Sequence, residues 1–200
     1  MMRIAVVEYN PDWVKQFYAN KTMILQAVEQ FVTGVEHVGS TAVPNLSAKP
    51  TIDICIGVTT LNEVNERIIP PLQKLGFDYL PALESGIPER RYLQKLNEKS
   101  EHLVHIHIVV KGERLWNEYI NFRDYLIAHP EEAHAYNLLK LELKEKFAYD
   151  REAYTNGKAN FIQAILRKAI VWKSDDKEKN NENNLAASTA SYSRDLYNRK

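Results

Sequence analysis

Two hundred residues at 23.2 kDa make one domain, or one domain with an appendage, large enough to bury a core without disulfide staples. The 26 basic and 26 acidic residues cancel to a formal net charge of zero, which argues against the basic excess of a dedicated nucleic-acid binder. One cysteine excludes an internal disulfide and a multi-cysteine metal cage. No apolar run is long enough to span a membrane, and Met1-Met2-Arg3 leads into a short strand-like run rather than a signal peptide, so a soluble, cytoplasmic protein without membrane partners is expected.

In chain order, residues 3–9 read as an edge strand or extended lead-in. Asn10-Pro11-Asp12 then offers a capping side chain, a first-turn proline and an acid at the positive end of a helix dipole. Val14, Tyr18, Leu25, Val28 and Val32 recur at helical spacing up to Gly34. A short strand over 35–38 stops at Gly39-Ser40, and a longer one covers 51–58. Thr60-Leu61-Asn62-Glu63 has the form of a capping box for a helix that Pro70 and Pro71 interrupt. Strands follow at 77–80, 90–96 and 102–110. From Gly112 the pattern is helical: about 113–128, a second helix opened by Pro130, and a third capped by Asp150 with Tyr154, Phe161, Ile165 and Trp172 in register. The expected fold class is α+β, with a sheet half over about 1–111 and a helical half over about 112–172. Residues 173–200 contain five Asn, four Ser, six basic and five acidic residues, and are expected to form a disordered polar tail.

Two strands carry the informative residues. In 51–58, Ile52, Ile54, Ile56 and Val58 point one way while Thr51, Asp53, Cys55 and Gly57 point the other. In 102–110, Val104, Ile106, Ile108 and Val110 form an apolar face opposite His105, His107 and Val109. Neighbouring strands would bring Asp53 near His105 or His107; the plainer alternative is a half-exposed sheet with ordinary polar residues facing water. Gly39 lets the backbone approach a ligand closely, and Ser40 and Thr41 are placed to begin a short helix whose free N–H groups suit phosphate. Cys55 reads as a small strand residue, and Trp13, Trp116, Phe161 and Trp172 as core. Glu36 and Glu101 are near these strands in sequence, but their alternation places them poorly for the polar face.

The string His37-Val38-Gly39-Ser40-Thr41-Ala42-Val43-Pro44-Asn45-Leu46, with Ala48-Lys49-Pro50 and Ile52-Asp53-Ile54 following, resembles the GrpB family. So do His102-Leu103-Val104-His105-Ile106-His107-Ile108-Val109, Phe122-Arg123-Asp124-Tyr125-Leu126 with His129-Pro130, and Tyr154 with Gly157-Lys158. The resemblance covers essentially residues 6–172. It implies a nucleotidyltransferase-type fold, a mixed sheet with flanking helices plus a C-terminal bundle of three helices. The reaction it implies is transfer of a nucleotidyl group from a nucleoside triphosphate to a small acceptor. Such enzymes use three carboxylates and two Mg²⁺ ions. Here Thr51 and Cys55 flank Asp53 where a second acid would stand, and His105 and His107 stand where a third would. Asp53, His105 and His107 are therefore the expected metal and catalytic residues, in a combination better suited to Mn²⁺ or another transition ion than to Mg²⁺. Gly39, Ser40 and Thr41, with Lys49, Arg91, Arg123 and Lys158 as a cationic rim, are the expected nucleotide-binding residues. The alternative is a nucleotide- or phosphometabolite-binding module whose catalytic set has decayed.

Overall fold

Asn10 starts the first regular element as its side chain suggests: the carboxamide oxygen accepts from the Asp12 amide at 2.9 Å, and α1 runs over Asp12–Val28. The structure is a computed structural model that describes residues 3–175. The buried stripe of α1 is Trp13, Phe17, Ile24 and Val28. Val14 and Tyr18, expected on that stripe, are exposed. Two apolar stripes lie side by side on this helix, and the one carrying the larger Trp13 and Phe17 rings turns inward because it buries more area.

Five strands form one mixed sheet: β1 (Gly34–Val38), β2 (Ile52–Val58), β3 (Asp78–Tyr79), β4 (Arg90–Leu96) and β5 (His102–Val110), in the order β1-β2-β5-β4-β3. β2 and β5 run parallel at the centre, and the remaining neighbours are antiparallel. Residues 3–9 form no ladder strand and make only a single bridge, Val7 to Ala48. The helix expected after Thr60 is short. Thr60 Oγ1 accepts from the Asn62 amide rather than closing a box with Glu63, and α2 covers only Val64–Arg67. Pro70 and Pro71 then sit in the first turn of α3 (Ile69–Lys74), where a missing N–H costs nothing.

Both faces of the sheet are covered. Ile52, Ile54, Ile56, Val104, Ile106 and Ile108 pack against α1, α2 and α3 in the main core. On the opposite face, Val38, Cys55 and Val109 are buried beneath Leu115 and Trp116 of α4 (Arg114–Ala128). The expected alternation therefore holds, but the second face is not simply a wet surface: α4 covers one end of it and leaves the other open.

Helix α5 (Pro130–Lys146) follows α4 directly. The third expected helix is in fact two, α6 (Arg151–Gly157) and α7 (residues 159–175), separated by a turn at Lys158. Asp150 caps α6 by accepting from the Ala153 amide at 3.0 Å. Val43 and Leu46, just beyond the Gly39-Ser40 turn, are buried with Tyr125, Leu126, Tyr136, Ile165 and Ala169, so the helical layer clamps that turn in place. Helix α7 extends three residues into the segment read as a tail; residues 176–200 lie outside the described residues. Among the described residues no helix is long and apolar enough to cross a membrane.

Candidate functional site

The uncovered end of the second sheet face opens into a cavity of about 640 Å³, closed on its far side by α5, α6 and the Lys158 turn. Its floor is Asp53. In the parallel register Asp53 pairs with His105 and Cys55 with His107, so the three polar residues read from alternation do share one face. His105 Nδ1 lies 3.0 Å from Asp53 Oδ1, and His107 Nε2 lies 3.8 Å from the same oxygen.

Gly39 belongs to this arrangement by necessity. Its φ of +71° is one that L side chains rarely adopt, and a Cβ there would stand 2.4 Å from Asp53 Oδ2. The Gly39-Ser40 turn and Asp53 are therefore a single steric unit. Ser40 opens a one-turn 3₁₀ segment, Ser40–Ala42, and its hydroxyl accepts from Lys140 Nζ at 3.3 Å. Thr41 borders the cavity but is almost fully buried. Its hydroxyl donates to the Thr51 carbonyl and faces His37 Nε2 at 3.0 Å, so it holds the turn to β2 and is not available to a ligand.

Hydrogen-bond polarity assigns the histidine tautomers. Arg151 can only donate, and its Nη1 is 3.2 Å from His102 Nε2, so that nitrogen accepts and the His102 proton is on Nδ1. His102 Nδ1 then donates to His105 Nε2 at 2.9 Å, which places the His105 proton on Nδ1, facing Asp53. His107 Nδ1 faces the Tyr119 hydroxyl at 3.2 Å and Arg90 at 3.5 Å, so it accepts there and directs Nε2–H toward Asp53. Burial pushes the Asp53 carboxyl up, but the hydrogen bonds and charges of His105 and His107 together outweigh it and hold the group below the usual carboxylate range. His102 is pushed down to about 4 by burial and by the positive charges of Lys49 and Arg151, with His105 acting in the same direction.

This donor set does not fit a divalent ion. A metal held by Asp53, His105 and His107 needs the lone pairs of both rings to converge on the carboxylate side, whereas both rings present N–H there. Among the described residues no group of three or more His, Cys, Asp or Glu is arranged to hold a metal. Glu36, expected to face away, does lie on the site face opposite Cys55, yet Arg123 occupies it at 2.8 Å.

Of the expected cationic rim, two residues reach the cavity and two do not. Lys49 and Lys158 line it. Arg91 pairs with Ile108 and thus lies on the other face of the sheet, bonded to Asn65 and 3.6 Å from Glu84; Arg90, one residue earlier, is the site-face arginine. Arg123 braces α4 against β1 through Glu36, Asp124 and the His37 carbonyl. Strand alternation places Arg91 on the other face and local ion pairs hold Arg123; sequence proximity does not decide where a cation points.

Residues given no site role by the sequence also line the cavity, among them Arg3, His102, Tyr136, Lys140, Arg151 and Tyr154. Lys140 is only 2 % exposed, with Nζ donating to the Ser47 carbonyl as well as to Ser40. Its signal was in the pattern, since it lies four residues after Tyr136 on the apolar face of α5. Burial, reinforced by the charge of Lys158, pushes its pKa down to about 7. Lys49 is lowered to about 8, chiefly by burial and by Arg151, against a raising effect from Asp53. Lys158, also lowered by burial, stands over the Tyr154 ring at 4.3 Å. It reaches the cavity because Gly157 lets α6 press on Leu143, where any Cβ would come within 2.6 Å. None of Lys49, Lys140, Arg151 and Lys158 forms an ion pair with a carboxylate among the described residues.

The GrpB protein family model matches residues 3–168. The UPF0157 protein YqkA of Bacillus subtilis is 33% identical over 181 residues, 90% of this chain and 50% of that protein, so the chain spans about half the length of this relative. The crystal structure of conserved protein GrpB from Enterococcus faecalis superposes with a TM-score of 0.77 at 32% identity, covering 84% of this chain and 99% of that one. A nucleotidyltransferase-fold chain in the structure of the GLD-2/RNP-8 complex matches 76% of this chain, and 58% of its own length, with a TM-score of 0.50 at 14% identity, a likeness of fold alone. The mixed sheet with its flanking helices is thus of nucleotidyltransferase type, and by sequence and structure together the chain belongs to the GrpB family.

Proposed function

We propose that the cavity binds the phosphate chain of a nucleotide or phosphorylated metabolite, with lysine and arginine charges in the place that divalent ions take in metal-dependent nucleotidyl transfer. One observation carries this reading: Lys49, Lys140, Arg151 and Lys158 surround a single cavity of about 640 Å³ and form no ion pair with a carboxylate among the described residues. Lys140 is buried and Lys158 half-buried, while Lys49 and Arg151 are exposed; cations gathered around one cavity are costly to hold together, and an anion offsets that cost more effectively than water does. Ser40, positioned by Gly39, adds a hydroxyl at the same wall, and Tyr136 and Tyr154 supply apolar surface.

The test is calorimetric titration of the protein with pyrophosphate and with nucleoside triphosphates in EDTA at low salt. Saturable binding is expected. Lys49→Ala should weaken it by the worth of one charge-assisted hydrogen bond, about 1.5–3 kcal/mol, while Arg91→Ala, on the opposite sheet face, leaves it unchanged. Absence of binding by the unaltered protein, or equal losses in both variants, overturns the reading. Transfer of a nucleotidyl group to a small acceptor is the second reading. The Gly39-Ser40 turn against Asp53, in a fold of nucleotidyltransferase type, favours it.

A further inference from the structure

The tautomers along the cavity floor form a chain that runs in one direction. Arg151 donates to His102, His102 to His105, and His105 to Asp53, over contacts of 3.2, 2.9 and 3.0 Å. The Thr51 hydroxyl fixes the start of β5 by donating to the His102 carbonyl at 3.0 Å. Every proton in the chain points toward the carboxylate, and the one lone pair left at the cavity end is on His102 Nε2. Arg151 covers that lone pair and has no carboxylate partner among the described residues, so a phosphate is a better acceptor for its guanidinium than an imidazole is.

We infer that Asp53, His105 and His102 form a metal-independent proton relay in which His102 Nε2 takes the proton of a hydroxyl group bound beside Arg151. This rests on the reading of the cavity as a phosphate site and adds a reaction to it. When a phosphate draws Arg151 away, His102 Nε2 faces the ligand. The O–H bond of the hydroxyl breaks and its proton goes to Nε2. His102 passes its Nδ1 proton to His105 Nε2, and the positive charge comes to rest against the Asp53 carboxylate. The oxygen electron pair forms a bond to the α-phosphorus of a nucleoside triphosphate as the bond to pyrophosphate breaks. The leaving charge falls among Lys49, Lys140 and Lys158. With water as the hydroxyl donor the products are the nucleoside monophosphate and pyrophosphate. His102 is the catalytic base; His105 and Asp53 are positioning residues that set its tautomer, as a buried acid does for a catalytic histidine elsewhere. Burial first, and then the charges of Lys49, His105 and Arg151, keep His102 neutral; a phosphate neutralises the Lys49 and Arg151 part, so the base gains strength as the ligand arrives.

The experiment incubates the full chain with nucleoside triphosphates in EDTA, with glycerol or water as hydroxyl donor, and follows phosphorus-containing products by NMR. Pyrophosphate release by the unaltered protein is expected. His102→Gln should slow it by about 100-fold or more, in line with removal of a general base, with nucleotide affinity kept within about threefold. Asp53→Asn should lower kcat and leave KM, because an amide N–H facing His105 favours the opposite tautomer. A second measurement reads the relay directly: long-range proton–nitrogen correlation in ¹⁵N-labelled protein should place the proton on Nδ1 of both His102 and His105. A proton on Nε2 of either ring, or undiminished turnover in His102→Gln, overturns the relay. Nucleotide binding without metal-free turnover also overturns it and leaves the phosphate site standing, whereas failure to bind nucleotide at all removes the phosphate site itself.

Discussion

Lys140→Met separates the cost of the cationic cavity from its use. The methionine has similar length and is apolar, so it fills the same space on α5 without a charge. A pKa lowered from 10.5 to about 7 corresponds to about 5 kcal/mol of lost preference for the charged ammonium. The unfolded chain holds the lysine proton up to its ordinary pKa, while the folded chain releases it near 7, so between these values the unfolded state binds more protons and stability rises with pH. From pH 7 to 9 this single group should add about 2 kcal/mol to the unaltered protein and nothing to the variant. Against that, the Ser47 carbonyl and Ser40 hydroxyl lose their donor in the variant, a cost of about 1–3 kcal/mol at all pH values. Urea unfolding at pH 7 and pH 9 should therefore show the variant falling further behind at the higher pH. Pyrophosphate at about 100 times its dissociation constant should stabilise the unaltered protein by about 2.7 kcal/mol and the variant much less. A stability difference that does not change with pH, together with equal stabilisation by pyrophosphate, would refute the claim that Lys140 is a strained cation awaiting an anion.

Gly39→Ala should cost about 1–3 kcal/mol in chemical denaturation through its backbone conformation alone, and more through the collision with Asp53. Gly112→Ala is the control, since Gly112 also has positive φ, at +87°, but nothing lies within 4 Å of the added Cβ; equal losses in the two variants would remove the steric coupling of the turn to Asp53. Cys55 is fully buried, with its thiol pushed up to about 12 by burial and by the charge of Glu36. It should resist thiol reagents in the native protein and react on unfolding, and rapid native labelling would show that α4 does not seal that part of the sheet.

Much of the local structure was determined by the sequence alone. The alternation of Ile52, Ile54, Ile56 and of Val104, Ile106, Ile108 specified two strands with a common aliphatic face, because side chains on a strand have a period of two. Asn10 and Asp150 marked helix starts because their side chains compete for the free amides there. The grouping of Gly39, Asp53, His105 and His107 was also legible, since two strands of one polar face place those residues together once they are neighbours. Which stripe of α1 is buried, that Arg90 and not Arg91 faces the site, and that Arg123 is consumed by Glu36 were decided by packing across elements, which no local spacing encodes. The cation cluster shows the same limit. Lys49 precedes β2, Lys140 lies mid-way along α5, and Arg151 and Lys158 bracket α6, so each reads singly as a solvated surface charge. Only the closure of α5 and α6 over the open end of the sheet brings them around one cavity, burying Lys140 and half-burying Lys158 while Lys49 and Arg151 stay exposed, and with it come the lowered lysine pKa values, the one-way histidine chain and the chemistry they permit.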